Sequence, residues 1–165
     1  MRRIRDERGA SAVEFAIIAS LLFMILFGTI QFGIMFNRYQ GLQSGGREGA
    51  RLGSLTATTN DDILGRVKDS LSIVDPANVA MCTSGSGTPT VTLDHACVRV
   101  SRRTEPDQSP DWHSVGGDPG PCNASQPGDK KSVVVEVFLR TTLDIVLWAS
   151  PTMTIGGSGE FRCEG

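Results

Sequence analysis

From Phe15 to Phe36 the chain runs for 22 residues without a charged side chain, and Gln31 is its one amide. As a helix this run is about 33 Å long, enough to cross a hydrocarbon core of about 30 Å. A cleaved secretory signal would be shorter and would be followed by a small-x-small site. No such site follows between Gly28 and Tyr39, so the run is expected to stay as an anchor. Arg2, Arg3, Arg5 and Arg8 precede it and outweigh Asp6 and Glu7, while few basic residues come just after. That asymmetry puts the N-terminus in the cytoplasm and the rest of the chain outside.

What remains suits one small domain. The 165 residues are 39% apolar and 21% charged, with a formal charge of -2. No stretch beyond the first nine residues is as basic, which argues against nucleic acid as a partner. Cys82, Cys97, Cys122 and Cys163 all follow the anchor, and an even count in an exported domain points to two disulfides. Three pairings are open. Cys82 with Cys97 is favoured because the two flank "TSGSGTPTVTLDHA", which can fold back as a hairpin; Cys122 and Cys163 then remain. The chain has no C-x-x-C, and its Cys–His spacings are irregular, so zinc is not expected. His95 and His113 have no Ser or Cys motif nearby, and Asp107, Asp111 and Asp118 lack the spacing of a calcium loop. The expectation is a protein with no enzymatic activity, no cofactor and no metal. Asn123-Ala124-Ser125 is a formal sequon.

Helical character continues past the anchor. "NRYQGLQSGGREGARLGSL", Asn37 to Leu55, has no proline, and Gly41, Gly45, Gly49 and Gly53 recur every fourth residue. The spacing predicts one helix from about Ala10 to Ser54, with the glycines on a single face. Each glycine costs a helix up to about 1 kcal/mol relative to alanine. So regular a stripe is expected to seat another backbone closely, as small-residue stripes do in helix pairs. With Glu14, it is the candidate subunit-packing face. Arg47 and Arg51 lie together on the helix, and Glu48 is placed to pair with Arg51. The same arginines are candidates for lipid headgroups or a docking partner.

A second helix is expected from Asp61 to Ser72, capped by Asn60 or Asp61, with Ile63, Leu64, Val67 and Leu71 inward. Pro76 ends it. Strands are expected at Asn78–Cys82, at Pro89–Arg103 with a bulge near His95 and Ala96, within "SVVVEVFLRT", and at Thr152–Cys163. In the third of these, Val133, Val135, Val137 and Leu139 share a side. Thr104–Asp129 reads as a long surface loop. Leu143, Ile145, Val146 and Trp148, in the connection before the last strand, cover the sheet or rest near the membrane surface. The fold class is therefore α+β: a long N-terminal transmembrane helix, a short helix, and a small antiparallel sheet with disulfides. Residues 10–55 form the long helix, with its span at about 15–36, and residues 56–165 the outer domain.

Glu14 stands one residue before the apolar run. An ionised carboxylate within hydrocarbon costs a few kcal/mol, roughly 3 on insertion scales. Headgroups and water at the cytoplasmic interface can solvate it, or Arg8 or a partner helix can pair with it. A third reading starts from what precedes it: Gly9, then Ala10, Ser11, Ala12 and Val13, then Glu14 and the aromatic Phe15. This pattern resembles the type IV prepilin processing site. The resemblance implies cleavage after Gly9 by a membrane aspartyl peptidase, with residues 1–9 as leader and Ala10 as the new terminus. The mature charge would be -4, since the leader holds four arginines and two acids. Ala10 and Glu14 are four apart on a helix, so a new ammonium and the carboxylate could neutralise each other, within a chain or between neighbours.

Three blocks narrow the resemblance. Arg8, Gly9, Val13, Glu14 and Phe15 form the first; Phe27, Gly28, Phe32 and Gly33 the second; Arg47, Glu48, Gly49, Ala50 and Arg51 the third. Together they resemble the TadE-like family of tight-adherence (Flp) pilus systems over about the first 55 residues. Processed members often carry tyrosine after the glutamate; Phe15 keeps the ring without the hydroxyl. The resemblance implies a minor pilin or pseudopilin in the bacterial inner membrane. Its partners would be other pilin subunits, the assembly platform, the prepilin peptidase and membrane lipid. The alternative it leaves is an unprocessed, anchored periplasmic scaffold of the same machinery.

Overall fold

The computed structural model describes residues 7–83, 87–105, 110–113, 122, 130–143 and 150–164, and their side chains except at 7, 8 and 110–113. Residues 1–6, Asp107, Asp118, the sequon and the apolar residues 145, 146 and 148 lie outside that set. One helix, α1, runs unbroken from Glu7 to Gly53. It ends where hydroxyls take up the carbonyls its last turn leaves open. Ser54 Oγ donates to the Arg51 carbonyl at 2.8 Å, and Thr58 Oγ1 donates to that of Leu52 at 3.0 Å.

Helix α2, Asn60–Ser70, starts from Thr59 rather than from Asn60 or Asp61. Thr59 and Asp62 form a reciprocal capping box. The Thr59 side chain accepts from the Asp62 amide, while the Asp62 carboxylate accepts from the Thr59 amide at 2.9 Å and its hydroxyl at 2.6 Å. The expected cap fell one or two residues late because Asn and Asp are also good caps; the acid at the third helical position marks Thr59. A short 3₁₀ turn at Pro76–Asn78 then leads into β1, Val79–Met81.

The remaining strands are β2 (Ala96–Thr104), β3 (Pro110–His113), β4 (Lys131–Thr142) and β5 (Thr152–Arg162). Their order is β1-β2-β4-β5, with β3 on the same side of β2 as β1. The sheet is mixed, not wholly antiparallel. β1 pairs parallel to β2, from Val79 opposite Ala96 to Met81 opposite Val98, so the 82–97 connection is not a hairpin. The strand expected from Pro89 also starts later, at Ala96, and no bulge is needed at His95. Asp94, with φ 57°, turns the chain there. Within the expected surface loop, β3 adds four residues of strand along β2.

Alternation along β4 sorts the two faces. Val133, Val135, Val137 and Leu139 point to one side, opposite Arg102, Val100, Val98 and Ala96 of β2. They form the main core with Leu42 and Ala50 of α1 and with Ile63, Val67 and Leu71 beside or on α2. The other side carries a smaller cluster of Cys82, Val91, Cys97 and Phe138. There Arg99 reaches Glu136, its direct cross-strand neighbour, at 2.8 Å, and donates to the Gly87 carbonyl at 2.8 Å. Its guanidinium lies 5.0 Å from the Phe138 ring centroid. Arg99 is almost fully buried, so its charge needs both acceptors.

Cys82 is bonded to Cys97, and Cys122 to Cys163, with Cα separations of 4.9 and 5.4 Å. They close loops of 15 and 41 residues, worth about 3 and 4 kcal/mol against the unfolded chain.

What joins helix to sheet is the absence of side chains. A Cβ added to Gly157 would overlap the Leu42 carbonyl carbon, and one on Gly159 would lie 2.5 Å from Arg47 Cα. From the helix side, a Cβ on Gly46 would lie 3.0 Å from the Gly159 nitrogen. Backbone meets backbone at all three. Gly159→Ala should therefore lower the outer domain's stability by about 1–3 kcal/mol or more, seen as a lower midpoint in thermal unfolding. Gly65→Ala, at an open position inside α2, should raise it by up to about 1 kcal/mol. The hydrogen bonds from Thr59 hold the Asp62 carboxyl below its ordinary value of 3.8. Its contribution is present above that value and lost as pH falls through the lower, folded one. Asp62→Asn should unfold at a lower temperature near neutral pH, and the difference should close on acidification.

Candidate assembly site on the long helix

The candidate processing motif stands clear of the domain. Gly9, Ala10, Glu14 and Phe15 are all exposed on α1, and a Cβ on Gly9 would meet nothing within 4 Å. Phe15 is 73% exposed, and from Val13 to Phe36 most large apolar side chains are about half exposed or more. The 45 residues from Gly9 to Gly53 include a strongly apolar window in which no residue is buried within the chain, so the helix is long and apolar enough to cross a membrane. Such a surface needs lipid or other helices around it. Ala10 and Glu14 sit one helical turn apart, since the helix is continuous through both.

The glycine stripe meets the chain's own α2. A Cβ on Gly41 would lie 3.1 Å from Ile73 Cδ1, one on Gly45 3.0 Å from Leu71 Cδ2, one on Gly49 2.6 Å from Val67 Cγ2, and one on Gly53 2.9 Å from Ile63 Cδ1. Side chains of α2 and of the residues just after it fill the groove, so α2 runs back antiparallel along α1. The close backbone approach expected of this stripe occurs a quarter-turn away, at Gly46 against β5. The fourfold spacing drew attention to the stripe, whereas Gly46 belongs to the adjoining Gly45-Gly46 pair. Its partner signal was the Gly156-Gly157-Ser158-Gly159 run, which reads as a weak strand until a helix is laid across it.

The arginine–glutamate block divides among three surroundings. Arg47 places its backbone against Gly159 and its side chain in solvent. Glu48 pairs with Arg66 of α2 at 3.3 Å, not with Arg51 within the helix. α2 lies beside this face and offers a partner that sequence separation hides. Both groups are well exposed, so the pair contributes little to stability. Arg51 and Leu52 join Leu55, Arg66, Phe161 and Glu164 around an open cleft where the end of α1 meets β5.

Arg38, the first charge after the apolar run, was not singled out by sequence. Its guanidinium donates to Thr141 Oγ1, and Thr141 is fully buried at the end of β4. A basic residue two positions beyond the last apolar one was a usable signal, but nothing local points to Thr141.

No curated protein and no solved structure matches this chain. The match to a family model lies wholly on α1 and stops before α2 and the sheet. Residues 9–51, from the glycine of the processing motif to the last arginine of the Arg-Glu-Gly-Ala-Arg block, match the family described as TadE-like protein.

Proposed function

We propose that this protein is a minor pilin or pseudopilin of a bacterial tight-adherence pilus, processed after Gly9, whose work is assembly rather than catalysis. The observation that carries the reading is Glu14. It is an exposed carboxylate on an apolar helix that nothing else in the described chain covers, within a segment matching the TadE-like family. Before assembly the helix holds the protein in the inner membrane, N-terminus inside and sheet in the periplasm. Cleavage frees the Ala10 amine. In a bundle of such helices, an ammonium and Glu14 carboxylate neutralise each other, from one chain or from two. Between chains the pair is favourable only in one axial register, so there it selects how far neighbouring helices slide. Other pilin subunits and the membrane platform are the partners this implies.

One observation favours the scaffold reading. α1 passes through Gly9 and Ala10 without a break, whereas a peptidase needs that bond exposed from the helix. Glycine at the site lowers the cost of unwinding by about 1 kcal/mol relative to alanine.

Mass spectrometry of the protein extracted from cells with an active prepilin peptidase should find Ala10 at the terminus. An intact leader there would leave the anchored scaffold as the better account. Glu14→Gln should leave protein in the membrane at normal levels and reduce surface filaments to background.

A further inference from the structure

The contacts between α1 and β5 fix how far the sheet reaches towards the apolar span. Gly157 lies against Leu42 and Gln43, and Gly159 against Gly46 and Arg47. Two strand residues, about 6.6 Å, therefore match four helix residues, about 6 Å. The two elements run side by side in the same direction. Continued towards the N-terminal ends, this register sets Ile155 level with Arg38 and Met153 level with Ile34 and Met35. Ile34 and Met35 precede Phe36, where the apolar run ends.

Two further observations agree. Arg38 reaches Thr141, and Thr141 pairs with Met153 across the sheet. Between Ser20 and Tyr39, the half-buried positions are Gln31, Met35 and Arg38, which share the helix face of Leu42. At this end of the sheet Met153 and Leu93 are 39% and 41% exposed, and Leu93 bridges to Arg140. Asp94 is an exposed acid beside them.

The geometry points to a lipid-contact surface on the outer domain. Its span-facing end, with Met153 and Leu93 as apolar contacts and Arg38 and Arg140 as cations, sits in the headgroup layer of the outer leaflet. The occupant is lipid because this end is continuous with the apolar span and level with its last turns. A rigid helix gives the domain no linker on which to stand off. The arginines match phosphate at that depth, and the large apolar side chains exposed there, Met153 and Leu93, are ones that gain by entering the interface. The domain would then lie on the bilayer, and leave it only when the whole helix is drawn out.

This inference rests on α1 spanning a membrane, and the test separates the two. No described cysteine is free, so a single added cysteine can carry an environment-sensitive fluorophore. Ile25→Cys, Met153→Cys, Leu93→Cys and Thr56→Cys would each be made in the full chain and reconstituted in phosphatidylcholine–phosphatidylglycerol vesicles. Quenching by lipids spin-labelled at the headgroup or along the acyl chain is then read. Ile25 should be quenched by the acyl-chain label. Met153 and Leu93 should be quenched by the headgroup label at least threefold more than Thr56, at the far end of α1. Quenching at Met153 and Leu93 no greater than at Thr56, with Ile25 quenched, would overturn the lipid contact and leave the span standing. An unquenched Ile25 would overturn both.

Discussion

The structure depends on a place where two backbones touch. α1 crosses β5 at Gly46, Gly157 and Gly159, with no side chain between the helix and the strand. Helices and sheets are otherwise held apart by interdigitated side chains, as they are elsewhere in this core. Removing three Cβ atoms brings α1 close enough for its next face to press on α2, where Gly49 and Gly53 receive Val67 and Ile63. The same helix thus has one glycine contact for the sheet and another glycine face for α2. Leu42 and Ala50 fill what lies between them. The glycines weaken α1 as an isolated helix. They are tolerated because packing on two sides replaces what propensity gives up.

The far face of the sheet solves a different problem with different chemistry. A sheet with only one helical layer leaves its other side to solvent, and here the described part of the 82–95 connection covers some of it. The Cys82–Cys97 bond ties that connection to β2, and Arg99 anchors it by donating to the Gly87 carbonyl. Glu136 and the Phe138 ring complete the surroundings of the arginine. Phe138 lies in turn over Gly156, where a Cβ would come within 3.1 Å of the ring. A large aromatic beside a cross-strand glycine fills the space that the glycine leaves in the pleat. The glycines of β5 are therefore used on both faces, for the helix on one and for the ring on the other.

Much of this was legible in the sequence, and the division follows the range of the forces involved. Signals that repeat along the chain were read well: the apolar run, the helical continuation past it, the period of two in β4 and the inward residues of α2. They depend on neighbours three or four residues away, or two. Signals that depend on distant partners were read less well. The parallel pairing of β1 and the replacement of Arg51 by Arg66 as the partner of Glu48 require knowing that α2 folds back beside α1. The capping box at Thr59 was local but sat among several good caps, and only the acid three residues on distinguishes it. In the candidate site, the Glu14 motif could be found because it is contiguous. Arg38 and Thr141, 103 residues apart, had no contiguous signature.

Continuity of α1 has a mechanical consequence. A globular domain joined to an anchor by a flexible linker can turn freely, and force on the anchor reaches it only when the linker is taut. Here the residues that leave the apolar run become core residues within two turns: Phe36 is exposed, Leu42 is fully buried. No hinge glycine lies free between them, since Gly41 already faces Ile73. A pull along the span is thus borne at once by the α1–β5 and α1–α2 contacts, which are loaded in shear along their whole length rather than peeled one by one. β5 is further tied at its end, where Cys163 is bonded to Cys122. The helix cannot move axially without carrying the sheet with it.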